Sequence, residues 1–184
     1  MEYSFNLYNA HASDGIAMAL DKLLSPLQPQ KNKLAPPVIV CIGSDLAIGD
    51  SLGPVCGSMV KYKTQGLNVF LYGTLASPIT AKDIKHLRTF LRETHKHSPV
   101  IAIDAAVGDS GDIGLIKILD KPLMPGSGAN KKLGAIGDLS ILGVVAEKSV
   151  KSYALLNTTR LNLVYTMSEI IAEALSLTLW NGKK

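Results

Sequence analysis

The chain is short of the residues that carry the commonest chemistries. It has two cysteines, Cys41 and Cys56, in 184 residues. No paired spacing makes them a disulfide framework or a zinc site. Both fall in elements expected to be buried, which predicts free thiols in a reducing cytosol. There are four histidines, His11, His86, His95 and His97, and none after residue 97. His86, His95 and His97 lie on or just after a charge-rich segment, which predicts exposed side chains. No run of about 18 apolar residues suggests a membrane span. Met1–Leu7 lacks the basic-then-apolar opening of a signal peptide. Charge of one sign is never concentrated. The 19 basic and 15 acidic residues leave +4, and the pairs Lys31/Lys33, Lys61/Lys63, Lys82/Lys85 and Lys131/Lys132 are scattered. Direct nucleic-acid binding is therefore not expected. With 47% hydrophobic and 18% charged residues, disorder is excluded. The length suits one domain over residues 1–184, with an N-terminal part at 1–37 and a core at 38–180.

What is present centres on Val38–Pro54. Val38–Ile42 is an unbroken apolar run rich in β-branched residues, which predicts a buried strand. The chain turns at Gly43, and a helix pattern resumes near Leu52. Asp45 and Asp50 lie between, framed by Gly43, Gly49 and Gly53. Ligands of open α/β sheets bind at the carboxyl ends of the strands, so chemistry is expected in this loop. Asp50 stands beside a helix N-terminus, whose dipole favours the ionised carboxylate.

Around this centre the pattern alternates. Residues 10–24 carry Ile16, Leu20, Leu23, Leu24 and Leu27 at helical spacing. Four prolines within residues 26–37 mark an exposed connection. A helix over 52–64 should end at Gly66, followed by a strand over Asn68–Tyr72. Thr80 and Asp83 have the spacing of a capping box for a helix reaching His97. Pro99 precedes a strand over Val100–Ile103 that ends in Asp104. This order predicts parallel strands with right-handed crossovers. Asp109 and Asp112, among glycines, read as turn formers. The short link to a strand over Gly114–Leu119 predicts an antiparallel partner. Pro122–Lys132 reads as a loop. Asp138 reads as the N-cap of a helix to about Lys148, followed by a strand over Ser152–Leu156 and a last helix over 160–179. The fold class expected is three-layer α/β/α around a mixed, mainly parallel sheet.

Asp50 and Asp104 each follow a predicted strand, 54 residues apart. If those strands are parallel neighbours, both carboxylates face one crevice. Two carboxylates around one water can divide acid and base roles, because their repulsion raises one pKa. A divalent metal held between Asp50 and Asp104 is the alternative. Helix caps or turns explain each aspartate equally. Asp45 either binds substrate or holds the loop. Gly49-Asp50-Ser51-Leu52 spells the signature of GDSL esterases, but a nucleophilic serine needs a histidine base, normally near the C-terminus. Glycines 43, 49 and 53 miss the G-x-G-x-x-G spacing of a dinucleotide site.

Gly43 to Pro54 resembles the first signature of the superfamily that holds the spore germination protease and the hydrogenase maturation endopeptidases. Ile103-Asp104-Ala105 resembles its second signature. Pro125-Gly126-Ser127-Gly128 resembles a segment of the germination protease. Together with Tyr72-Gly73-Thr74-Leu75, Ser77-Pro78 and Gly137-Asp138-Leu139-Ser140-Ile141, these segments are most similar to the sporulation protein family called YyaC (DUF1256). The resemblance covers about residues 37–178. It implies a HybD-like α/β/α fold and a cytoplasmic protein of a sporulating cell or forespore. It also implies a peptidase ancestry with Asp50 and Asp104 as the acidic centre. Gly43, Ser44, Asp45, Gly73, Thr74, Ser127, Gly128 and Asp138 would line the substrate site. The substrate implied is a peptide or small spore protein, with no established cofactor. The histidine that helps hold nickel in the hydrogenase enzymes has no counterpart after residue 97. A non-catalytic protein that reuses the fold to bind a peptide or partner is the other reading.

Overall fold

The computed structural model describes residues 1–27, 35–126, 133–148, 156 and 158–181. Six strands run in the order β1-β5-β6-β4-β2-β3 across one sheet. They are β1 (Glu2–Asn6), β2 (Val38–Cys41), β3 (Phe70–Tyr72), β4 (Val100–Gly108), β5 (Leu115–Leu119) and β6 (Leu139–Glu147). The β3-β2-β4-β6 block is parallel, and β5 runs antiparallel to both β6 and β1. Helices α1 (Ala12–Leu24), α2 (Leu52–Lys63), α3 (Ile84–Thr94) and α4 (Leu161–Asn181) complete the α/β fold.

Alternation along the strands divides the core. Ile39, Cys41, Ile101, Ile103, Ile116, Ile118, Leu139 and Ile141 pack on one face against α1, α2 and α4. Val38, Val40, Ile42 and Ala102 pack on the other with Ile84, Leu87 and Leu91 of α3. Among the described residues α4 has the length and composition to cross a membrane, yet Val164, Met167, Ile171, Ala172, Ala174 and Leu175 are buried in the first core layer. Cys41 and Cys56 are free and buried together. Their mutual hydrogen bond, then burial, holds the Cys41 thiol well above its ordinary range.

Several expectations need correction. Leu139–Glu147, expected as a helix capped by Asp138, is the central strand β6. Buried on both faces, its side chains show no amphipathic period that would separate strand from helix. Asp138 instead closes the start of β4: its Oδ2 accepts from the Val100 amide at 2.8 Å, while its own amide donates to the Val100 carbonyl. β4 does not stop before Asp104 but continues to Gly108. β5 is antiparallel as expected, with β6 and β1 as its partners. β1 was not anticipated, although Glu2-Tyr3-Ser4-Phe5-Asn6 alternates in burial as an edge strand should. Thr80 and Asp83 do pair before α3, with Thr80 donating to the Asp83 carboxylate from both its amide and its hydroxyl at 2.8 Å. Those bonds hold the Asp83 carboxyl below its usual value. The strand expected over Ser152–Leu156 lies outside the described residues, Leu156 excepted.

The seating of α2 positions everything at the carboxyl end of the sheet. A β-carbon on Gly53 would lie 2.0 Å from the Ile42 carbonyl oxygen, and one on Gly57 would lie 1.8 Å from that of Gly73. Glycine at these two positions, one helical turn apart, lets the helix rest directly on the ends of β2 and β3. Gly53→Ala and Gly57→Ala should each lower stability by about 3 kcal/mol, because the obstruction is backbone that cannot rotate away. Urea unfolding of the two variants beside wild type measures this. A loss within about 0.5 kcal/mol, the range of neutral surface changes, would contradict the seating.

Candidate active site

β2 sends its chain to β3 on one side, while β4 lies on its other side. The gap between β2 and β4 is therefore a topological switch point, where open α/β sheets leave a crevice at the strand ends. The two strands run in register as far as Cys41 opposite Ile103. Ile42 donates its amide to the Ile103 carbonyl at 2.8 Å, and then the chain of β2 departs. β4 continues with only β6 beside it, Asp104 pairing with Leu142. Asp104 thus occupies the step left where β2 ends.

The loop from Gly43 to Ser51 closes over that step. Gly43 has φ +144°, and a β-carbon there would lie 2.0 Å from the Asp50 carbonyl oxygen. Ser44 donates its amide to the same carbonyl at 3.1 Å. The loop therefore folds back on itself and delivers Asp50 in a single 3-10 turn, Gly49–Ser51, which runs straight into α2. Asp50 is half-buried and Asp45 exposed. The pair predicted from strand ends is brought together closely enough to interact. Burial first, and the negative charge of Asp50 second, push the Asp104 carboxyl well above the ordinary 3.8, against the lowering effect of the Ala105 amide. That amide donates to Asp104 Oδ1 at 2.8 Å.

The remaining expected site residues divide. Gly43 and Ser44 lie where the loop folds back onto the Asp50 carbonyl. Gly73 (φ +91°) packs on the Cys41 carbonyl at the end of the neighbouring strand. Thr74 closes a tight bridge with Ser77, its amide donating at 3.1 Å. Leu75 donates its amide to Ser58 Oγ, which ties this loop to α2. Ser127 and Gly128 lie outside the described residues. Asp138 stands at the amino end of the parallel strands, beside Val100, and so at the opposite end of the sheet from Asp104. Ser51, the serine of the esterase-like spelling, is buried and donates to the Ile48 carbonyl at 2.7 Å, so it presents no nucleophile.

Two further contributors carried no sequence signal. The Leu156 carbonyl accepts from the Gly49 amide at 2.8 Å, and a β-carbon on Gly49 would meet Leu156 and Thr159. This segment backs the turn that holds Asp50. His95, expected to be exposed, is buried with its Nε2 2.7 Å from the Tyr72 hydroxyl and its ring 4.3 Å from that of Phe70. It supports β3 from α3 rather than serving the carboxylates. Among the described residues no group of three or more His, Cys, Asp or Glu side chains gathers to hold a metal. A cation between Asp50 and Asp104 would have to complete its shell with water or substrate.

With this geometry established, comparison with known proteins gives the relationship. The family described as a protein of unknown function (DUF1256) matches residues 5–174. This chain belongs to that family. The chain is 40% identical over 171 residues to the uncharacterized protein YyaC of Bacillus subtilis strain 168, covering 93% of this chain and 82% of that protein. Among solved structures it is similar to the [NiFe] hydrogenase maturation protease HycI of Thermococcus kodakarensis KOD1, with 20% identity, a TM-score of 0.43, and coverage of 85% of this chain and 98% of that one. A likeness of that degree carries no argument about activity.

The raised Asp104 pKa fixes the sign of a pH effect. Above 3.8 an unfolded Asp104 has lost its proton while the folded one keeps it. Stability therefore falls as pH rises through that window, by up to about 1.4 kcal/mol per unit, until the folded group ionises as well. Asp104→Asn should flatten this part of the profile and be more stable than wild type at pH 8. Urea midpoints for both proteins from pH 4 to 8 test it; parallel profiles would show that Asp104 titrates as an ordinary carboxyl.

Proposed function

We propose that the protein is a peptidase that hydrolyses a peptide bond with Asp50 and Asp104, acting in sporulating cells on a peptide or small spore protein. The observation that carries the chemistry is the unequal pair at the step between β2 and β4, where burial and the charge of Asp50 raise the Asp104 carboxyl well above its ordinary range and so favour its protonated form. The signature segments around Asp50 and Asp104 support the peptidase ancestry and the sporulation setting.

The division of labour follows from that inequality. Asp50, at the positive end of α2, is the base. It takes a proton from water as the water oxygen adds to the carbonyl carbon. Asp104 gives its proton to the carbonyl oxygen, so no full oxyanion has to be held. The C–N bond then breaks, the amine leaves with the proton held on Asp50, and the hydroxyl proton returns to Asp104. Backbone amides of glycine-rich loops are a common source of oxyanion-binding donors. Those of Gly43, Ser44, Gly49 and Thr74 already donate to Ile79, Asp50, Leu156 and Ser77. The protonated Asp104 has to do that work.

The same engaged amides favour a second reading, in which the crevice binds a peptide without cleaving it. Incubation of the purified protein with small spore proteins, followed by mass spectrometry, separates the two. On the peptidase reading cleavage occurs, and Asp50→Asn and Asp104→Asn each reduce it by at least about 100-fold. Cleavage that survives unchanged in both variants ends the two-aspartate mechanism. Retention of an intact peptide, with no turnover by wild type, establishes the binding reading instead.

A further inference from the structure

The amino end of the sheet carries a depression of about 540 Å³, remote from the carboxylates. Its wall is cationic. Arg88, Arg92 and Lys96 follow one another at four-residue intervals along α3 and just past its end, all lining this space. Within α3 a rise of 1.5 Å per residue sets Arg88 and Arg92 about 6 Å apart along one face, and Lys96 follows just past the helix end. None of the three makes an ion pair with another described residue. The only carboxylate in the lining, Asp138, has one oxygen engaged by the Val100 amide. Three positive groups thus face one negative group.

The floor is apolar, made of Leu91, Val100 and Ile136. One of the cations packs on the backbone of the facing loop. A β-carbon on Gly134 (φ +84°) would lie 2.3 Å from Arg88 Nη1, so the guanidinium rests directly on the backbone of that glycine. Packing of this kind removes part of the entropy a free arginine would lose on binding.

We propose that this depression is a binding site for a small organic molecule carrying a diphosphate. Arg88, Arg92 and Lys96 would hold the phosphates, and the floor of Leu91, Val100 and Ile136 would take the organic part. Guanidinium groups match phosphate oxygens in pairs, and adjacent phosphates span neighbouring positions on the helix face. The volume of about 540 Å³ falls in the range of small-molecule sites. The proposal is independent of peptide hydrolysis, since the depression lies at the start of β4, by Val100, whereas Asp104 lies further along the strand, just past the end of β2.

Calorimetric titration of the full chain with pyrophosphate and with ADP tests it, using inorganic phosphate and a single-stranded 20-mer DNA as comparators. Both diphosphates should bind saturably and displace one another, with inorganic phosphate at least about tenfold weaker. Arg88→Ala and Arg92→Ala, both exposed positions, should each weaken ADP about tenfold, with Arg88→Lys between. Asp50→Asn and Asp104→Asn should leave ADP binding unchanged, which separates this site from the peptidase reading. The proposal is overturned by no saturable binding of either diphosphate up to about 1 mM. It is equally overturned by affinity that the arginine variants do not alter. Displacement of ADP by the oligonucleotide, with the steep salt dependence of phosphate-backbone contacts, would make the surface a nucleic-acid site instead.

Discussion

The structure depends on backbone meeting backbone at the carboxyl end of β2. Four glycines make this contact possible: Gly43 beneath the Asp50 carbonyl, Gly53 on Ile42, Gly57 on Gly73, and Gly73 on Cys41. With no side chains between them, the start of α2 lies on the strand ends instead of the usual distance above the sheet. The loop before it has little room, and hydrogen bonds from Ser44 and Gly49 fix its course. Asp50 is placed by this packing and not by a long flexible connection. A loop that merely joined strand to helix would leave the carboxylate free to turn toward water. This one holds it against the step where β4 runs on alone.

The electrostatic asymmetry of the pair has the same origin. Asp50 sits at the entry of a 12-residue helix, whose positive end favours negative charge. Asp104 sits within a strand flanked by β6, one residue beyond the end of its β2 neighbour. Burial is the first cause of its raised pKa and the charge of Asp50 the second. Two chemically identical side chains thus acquire different protonation from their backbone settings. Such a difference is required where one group must give a proton and the other take one.

Much of this was legible in the sequence because it rests on local chemistry. The β-branched run Val38–Ile42, the glycines around Asp50, the apolar stripe of α3 and the long last helix all announce themselves by period or composition. Their placement as parallel neighbours follows from the alternation of strand and helix. What escaped has physical reasons. β6 is buried on both faces, so Leu139–Glu147 shows neither of the two periods, and Asp138 before it imitates a helix cap while closing a strand. The extension of β4 past Asp104 runs through Ala105, Ala106, Val107 and Gly108, and small residues say little about where a strand stops. His95 follows a charged helix, yet its burial is decided by Phe70 and Tyr72, more than 20 residues earlier in the chain. The support of Gly49 by Leu156 depends on a contact across more than 100 residues, which no local pattern records.

The aspartate pair and the cationic depression lie at different levels of the sheet, and the topology explains how. Parallel strands bring their carboxyl ends to one edge, where the loop after β2 brings Asp50 to Asp104 of the longer strand β4. The same parallelism brings the amino ends of β4 and β6 to the other edge, against the last turns of α3, where Arg88, Arg92 and Lys96 project. A scattered basic composition in the sequence becomes a local excess because a helix repeats every 3.6 residues, so Arg88 and Arg92 fall on one face, and Lys96 follows just past the helix end. A single sheet can present an acidic crevice at one edge and a cationic depression at the other, each keeping its own chemistry.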